Sequence, residues 1–471
     1  MLSTIIGKET RDIIGSTKFA VTFAVCAALI LLSFYVGAKS YKVSQAQYEA
    51  ATAENLSQLE GLTDWFGIQQ HRIFLPPQPL EALVTGISYD IGRTTEIQGR
   101  GELTATDSRF NEDPIFAIFR FLDLGFMFQI VISLFAILLG YDAVSGEKER
   151  GTLRLAFANA VPRATYILGK LIGSFLALAV PLSVAIILGC LLLPLLGVPM
   201  SAGDWVRLAL IIFAGLLYFG AFLTLSIFIS SLTQRSSSSF LLLLVIWISA
   251  VMIVPRASML LAGRYVDVPS VDEIASQKSR MRAQLWEEHR KNLGSFKPTN
   301  TEDPEKMVSE LNRFMGERAD ERDKKMMEFA GRLNEDRFNR QQVQQKLAFN
   351  LARISPASSL TLATAALAET SLALKSHYNK EATEYQTVYG NFIKEKTGIN
   401  PGERMMVIKT TMEGEEEPEP IDPEELPKFV YRSIGLAESI ESATVDLGLL
   451  TLFNILFFSG AFVAFMRYDV R

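Results

Sequence analysis

The chain has 471 residues, 49% of them hydrophobic, and a formal net charge of −5. That near balance of charge excludes the strongly basic surface of a nucleic-acid binder, and two cysteines, Cys26 and Cys190, set in apolar runs exclude a disulfide framework or a zinc-type cluster. Apolar residues gather in long uncharged runs while the middle of the chain is densely charged, so the expected class is a mainly α membrane protein carrying soluble inserts.

Residues 1–17 put Leu2, Ile5, Ile6, Ile13 and Ile14 on one helical face and Lys8, Arg11 and Asp12 away from it, the pattern of an amphipathic helix lying in the membrane interface. Residues 18–38 form the first apolar run. No small-residue cleavage site follows it, so it reads as a retained transmembrane helix and not a secretory signal.

Residues 39–118 are polar and mixed and read as a first extracytoplasmic insert. Residues 44–62 suit a helix, PPQP at 76–79 suits a connector, and TTEIQGRGELTAT at 94–106 alternates like a strand interrupted by Gly99 and Gly101. Phe116, Phe119 and Phe121 then lead in as interfacial aromatics.

Residues 119–260 hold transmembrane helices two to five. The run 124–140 has no ionisable side chain, 171–197 is longer, 205–230 follows a short turn, and 240–254 is a somewhat short fifth run. Between the second and third runs lies a charged amphipathic loop, 141–170, with Lys148, Arg150, Arg154, Arg163 and Lys170. Short loops rich in Lys and Arg stay on the cytoplasmic side.

Residues 261–443 form the second extracytoplasmic insert. Met307, Leu311, Phe314, Phe329, Leu333, Val343, Leu347 and Leu351 fall mostly three or four apart, which specifies long amphipathic helices, antiparallel or supercoiled. The weakly polar stretch 354–371 suits a segment resting on the outer membrane face, and EGEEEPEPIDPEE at 413–425 suits a solvated acidic loop. Residues 444–471 supply the sixth transmembrane helix and a basic terminus. Six crossings place both termini and the 141–170 loop in the cytoplasm and both inserts outside, folded together as one mostly helical domain of an inner-membrane protein.

Catalytic signatures are missing. No GxxxxGK[ST] phosphate loop, GxSxG elbow or HExxH helix occurs. His71, His289 and His377 lack neighbours suited to catalysis or metal binding, and the Met326–Met327 and Met405–Met406 pairs suit packing better than soft-metal capture. Among the polar residues within the runs, Gln129, Ser133, Thr224, Ser226, Ser230 and Asn454 are those expected to point inward, lining a translocation path or binding helix to helix. No ionisable residue sits mid-span as a proton or ion relay would require.

The loop residues GEKERGTLRL, VPR and ILGK, with FMRYDVR at the C-terminus, resemble the permeases of type-2 ATP-binding-cassette (ABC) exporters, most closely those with a large extracytoplasmic insert. The resemblance implies that Glu147, Lys148, Glu149, Arg150, Gly151, Thr152, Leu153, Pro162 and Arg163 form a coupling helix and its flank. It further implies that this helix seats on a separate ATPase, which alone binds ATP and magnesium, and that two permeases, identical or related, pair in the membrane. Membrane lipids and a periplasmic or envelope protein are the further expected partners, with lipid-like cargo fitting a path beside the bilayer. The competing readings are a non-transporting mechanotransmitter or envelope scaffold worked by the same ATPase, and a membrane sensor.

Overall fold

The computed structural model describes residues 1–63, 65, 68, 71–88, 91–97, 103–106, 123–158, 161–293, 304–397 and 420–468. Gly99, Gly101, Phe116, Phe119, Phe121, Met405, Met406, most of the acidic loop and residues 469–471 lie outside the described residues.

A short amphipathic helix, α1 (Leu2–Ile14), is separated by Gly15 and the capping hydroxyl of Ser16 from α2 (Thr17–Ser57). α2 is one rod of 41 residues. Lys39 and Lys42, just beyond the first apolar run, interrupt nothing, because no proline follows before Pro76 and the intervening Ala, Gln and Glu are strong helix formers. Three antiparallel strands follow, β1 (His71–Phe74), β2 (Thr94–Ile97) and β3 (Thr104–Thr106), in the order β1-β2-β3, with His71 opposite Ile97 and Thr94 opposite Thr106.

The second span combines α3 (Leu124–Phe126), a π-helical segment (Met127–Ile132) and α4 (Ser133–Gly140). Two short helices, α5 (Ser145–Arg150) and α6 (Thr152–Ala158), make up the charged loop. α7 (Arg163–Leu195) and α8 (Ala202–Leu232) are the third and fourth spans. The fifth joins α9 (Ser236–Ile248), a second π-helical segment (Ser249–Ile253) and α10 (Val254–Tyr265), giving 30 residues where the apolar run alone had looked short. Among the described residues, six helices are long and apolar enough to cross a membrane.

The second insert divides. Residues 257–351 form a compact unit of their own, in which α11 (Val271–Leu293) and α12 (Pro304–Ala352) run antiparallel. Arg322 stacks over Trp286 at 4.3 Å, and Arg337 Nε donates to the Pro269 carbonyl at 3.1 Å.

The remainder belongs with the membrane unit. α13 (Pro356–Leu367) does not rest on a surface; it packs between α8 and α15 (Leu436–Met466) with most of its residues buried. Its Ala, Ser and Thr side chains are small enough to admit neighbouring backbones closely. α14 (Ala373–Thr397) turns a stripe of Leu374, Tyr378, Ala382, Tyr385, Tyr389 and Ile393 into a core shared with Leu59, Trp65, Ile73 and Ile97 of the first insert. That spacing of three and four keeps one face of a helix inward. His71 sits in this core, its Nε2 2.8 Å from the Tyr385 hydroxyl.

Candidate functional site

Six spans bring the N-terminus, the 141–158 loop, the 233–235 turn and the end of α15 to one face of the bundle, here the loop face; the first insert and α14 lie toward the other, the insert side. The candidate site is built at the loop face around α5.

A helix of this length needs outside help for its first N–H groups. Ser230 of α8 provides it, accepting from the N–H groups of Val144 at 3.0 Å and Ser145 at 2.9 Å and donating to Ser145 Oγ. α5 ends at Gly151, whose φ of 73° lies in the left-handed region and turns the chain into α6.

The three charged residues that lead α5 are each held by the protein. Glu147 meets Lys170 Nζ at 2.9 Å and accepts from the Tyr166 hydroxyl. Lys148 Nζ donates to the carbonyls of Ser231 and Thr233, at the C-terminal end of α8, and lies 4.3 Å from the centre of the Tyr468 ring. Glu149 accepts from the backbone N–H of Ser236 at 3.2 Å and its hydroxyl at 2.9 Å, at the N-terminal end of α9. The cation faces a negative helix end and the carboxylate a positive one, so each charge complements the dipole it touches. α5 thereby grips the turn between the fourth and fifth spans from both sides.

The rest of the loop extends the clamp. Leu153 is buried in the bundle core, while the Thr152 hydroxyl is 3.4 Å from the Glu147 carbonyl. Pro162 opens α7, and Arg163 donates to the carbonyls of Met466 at 2.9 Å and Tyr468 at 3.0 Å, capping α15. Phe157, Tyr166 and Phe465 pack their rings together beneath it. On the opposite side Lys18, at the start of the first span, pairs with Asp142 at 3.1 Å.

α1 joins the same assembly through α7. Gly169 and Gly173 lie one turn apart, and a Cβ at these positions would stand 2.6 Å from Ile5 and 2.8 Å from Glu9. Only glycine lets the two helices approach this closely. Glu9, within the apolar face of α1, lies 3.0 Å from Lys170, which therefore bridges α1 to α5. Neither Glu9 nor the Gly169–Gly173 pair had been singled out from sequence. An acid among isoleucines and a GxxxG at the start of a span were the available signals.

What remains exposed is a ridge comprising Glu149, Arg150, Thr152, Arg154, Leu155 and Pro162. Leu155 is 68% exposed. A basic ridge with an apolar side chain at its crest, rigidly tied to five spans and α1, can receive a soluble protein and pass its movement on.

The span residues fall into two groups. Ser133 accepts from Trp247 Nε1 and donates to the Gln129 carbonyl; Thr224 and Ser226 donate to carbonyls within α8; Asn454 donates to the Leu217 carbonyl at 2.8 Å. Those four are spent on joining helices or on their own backbone. Gln129 lines a cavity at the insert-side end of the bundle.

Residues 3–470 match the family model described as ABC-2 family transporter protein. No curated protein matches the sequence.

Proposed function

The chain thus belongs to the ABC-2 family of transporter proteins and is a membrane permease, and from that premise we propose that it is driven by a separate ATPase seated on the exposed ridge of α5 and α6. The observation that carries this reading is the division of labour within α5 and α6. Glu147, Lys148 and Glu149 are committed to α7, α8 and α9, whereas Arg150, Arg154 and Leu155 face outward. A push on the ridge reaches three spans without a flexible joint. The loop face is then cytoplasmic, the inserts are extracytoplasmic, and the permease works as a pair in the inner membrane. ATP and magnesium belong to the partner; the cargo is lipid-like or envelope-directed.

A second reading draws on α2. Its uninterrupted helix carries the first span directly into the core of the first insert, where Leu56 and Leu59 pack. The same ATPase would then perform mechanical work on an envelope partner without moving cargo.

Purification of the tagged chain from its own host tests the coupling. An ABC ATPase subunit should co-purify and hydrolyse ATP, and Arg154→Glu combined with Leu155→Asp should strip it from a permease that still elutes as a folded species. Absence of an ATPase partner, or retention of the partner with unchanged hydrolysis after both substitutions, contradicts the proposal. Reconstitution with labelled lipid then separates transport from mechanical work.

A further inference from the structure

The cavity at the insert-side end of the bundle has no part in coupling at the loop face. Its volume is about 220 Å³, and Phe126, Ile130, Val251 and Met252 form its apolar wall. Both spans that wall it are π-helical at this depth, over Met127–Ile132 and Ser249–Ile253. A π turn widens a helix and frees a carbonyl, and such turns recur at functional sites. Here the freed groups are met from elsewhere: Tyr218 donates to the Gln129 carbonyl at 2.8 Å, and the Ser355 hydroxyl donates to the Ala250 carbonyl. The two widened turns are thus held in place by side chains of other elements.

The polar groups of the lining divide sharply. The Asp123 carboxylate accepts from the N–H groups of Thr85 and Phe126, and the hydroxyls of Thr361 and Thr364 donate within α13. The carboxamide of Gln129 has no hydrogen-bond partner among the described residues, although the residue is only 9% exposed. Its amide is thus open to the cavity that it lines. Arg256 is exposed at the rim and has no carboxylate partner among the described residues. Beside it Met252 and Ile253 are exposed on the outer surface of the fifth span.

We infer that this cavity binds an anionic amphiphile: Arg256 and the Gln129 amide hold its acidic head, and Ile130, Val251 and Met252 lie against the first methylenes of its chain. A guanidinium matches a phosphate or carboxylate in two-point geometry. An uncharged amphiphile leaves Arg256 unused, and a small free anion leaves the apolar wall unused. The head chemistry is shared by an acidic lipid of the surrounding leaflet and by a free fatty acid.

Photolabelling of the full chain in nanodiscs, without nucleotide or ATPase, tests this independently of the transport reading. Three diazirine probes are compared: phosphatidylglycerol, a fatty acid and a diacylglycerol, each with the diazirine near the carbonyl end of its chain. An anionic probe is expected to label peptides 124–132 and 249–256 about fivefold more than the exposed Ile455 and Val463 face of α15, with no such excess for diacylglycerol. Excess from phosphatidylglycerol identifies a leaflet lipid, and excess from the fatty acid alone a free amphiphile. Arg256→Gln and Gln129→Leu should each remove most of the excess without changing the label on α15, and Val251→Trp, which fills the cavity, should abolish it. No excess with either anionic probe, an equal excess with diacylglycerol, or an excess unmoved by all three substitutions overturns the inference.

Discussion

Lys170 Nζ lies 3.0 Å from the carboxylate of Glu9, a residue 161 positions away, and so fastens α1 to the third span. The same ammonium meets Glu147 at 2.9 Å, and Lys170 is buried. Breaking a buried pair by removing one partner costs about 3–5 kcal/mol, because an uncompensated charge is left behind. Lys170→Met would leave two carboxylates facing each other. Its unfolding temperature in neutral detergent should drop markedly, and adding Glu9→Gln and Glu147→Gln should restore most of the loss. If the single and triple variants unfold together at the wild-type temperature, the bridge does not stabilise the assembly.

Acid should loosen the core of the first insert through His71. The orientation of Asn55 is fixed by Arg72, whose N–H donates to Oδ1 at 3.1 Å and whose carbonyl accepts from Nδ2 at 3.0 Å. That leaves Nδ2 toward His71 Nδ1, while the Tyr385 hydroxyl spends its proton on the Pro427 carbonyl and accepts from Nε2–H. The ring is therefore neutral with Nδ1 bare, and burial lowers its pKa to about 4 from 6.5. Below pH 6.5 the unfolded chain takes up a proton that the folded chain refuses. Stability is full above pH 6.5 and is lost as pH falls toward 4, by about 2 kcal/mol at pH 5. Unfolding followed from pH 7 to pH 4.5 should show this slope in the wild type and much less of it in His71→Gln.

At the insert-side end of α8, Arg207 pairs with Glu369 and donates to the Ile434 carbonyl, while Glu369 accepts from the Ile434 N–H at 3.2 Å. Glu369 holds a φ of 58°, left-handed for a residue with a Cβ, and is 2% exposed. Backbone strain of this kind persists only where surrounding contacts enforce it. Arg207→Met should destabilise the fold by about 3–5 kcal/mol. Arg207→Lys should recover only part of that, since an ammonium lacks the fork that meets Asp204 through Nη1 while Nη2 serves Glu369 and Ile434. Equal unfolding temperatures for the two variants would show that fork geometry is irrelevant here.

The six spans were legible because hydrophobic runs of this length have few alternatives, and the loop 141–158 announced itself by charge between two such runs. What the loop residues touch was not legible. Glu147, Lys148 and Glu149 look alike in sequence as exposed charges, yet each contacts a helix start, a helix end or a lysine far along the chain. The core that joins His71 to Tyr385 pairs residues 314 positions apart and leaves no local periodicity to find in the first insert. For residues 354–371, weak polarity suggested a surface, whereas the small side chains themselves indicated close packing.

The central claim is that the exposed ridge of α5 and α6 faces the cytoplasm, where an ATPase can reach it. With Cys26 and Cys190 replaced by Ala, a cysteine placed at Arg154 and another at exposed Val388 of α14 can be treated in intact cells with a membrane-impermeant maleimide. The account expects Val388→Cys to be labelled at once and Arg154→Cys only after the membrane is opened. Labelling of Arg154→Cys in intact cells would contradict it.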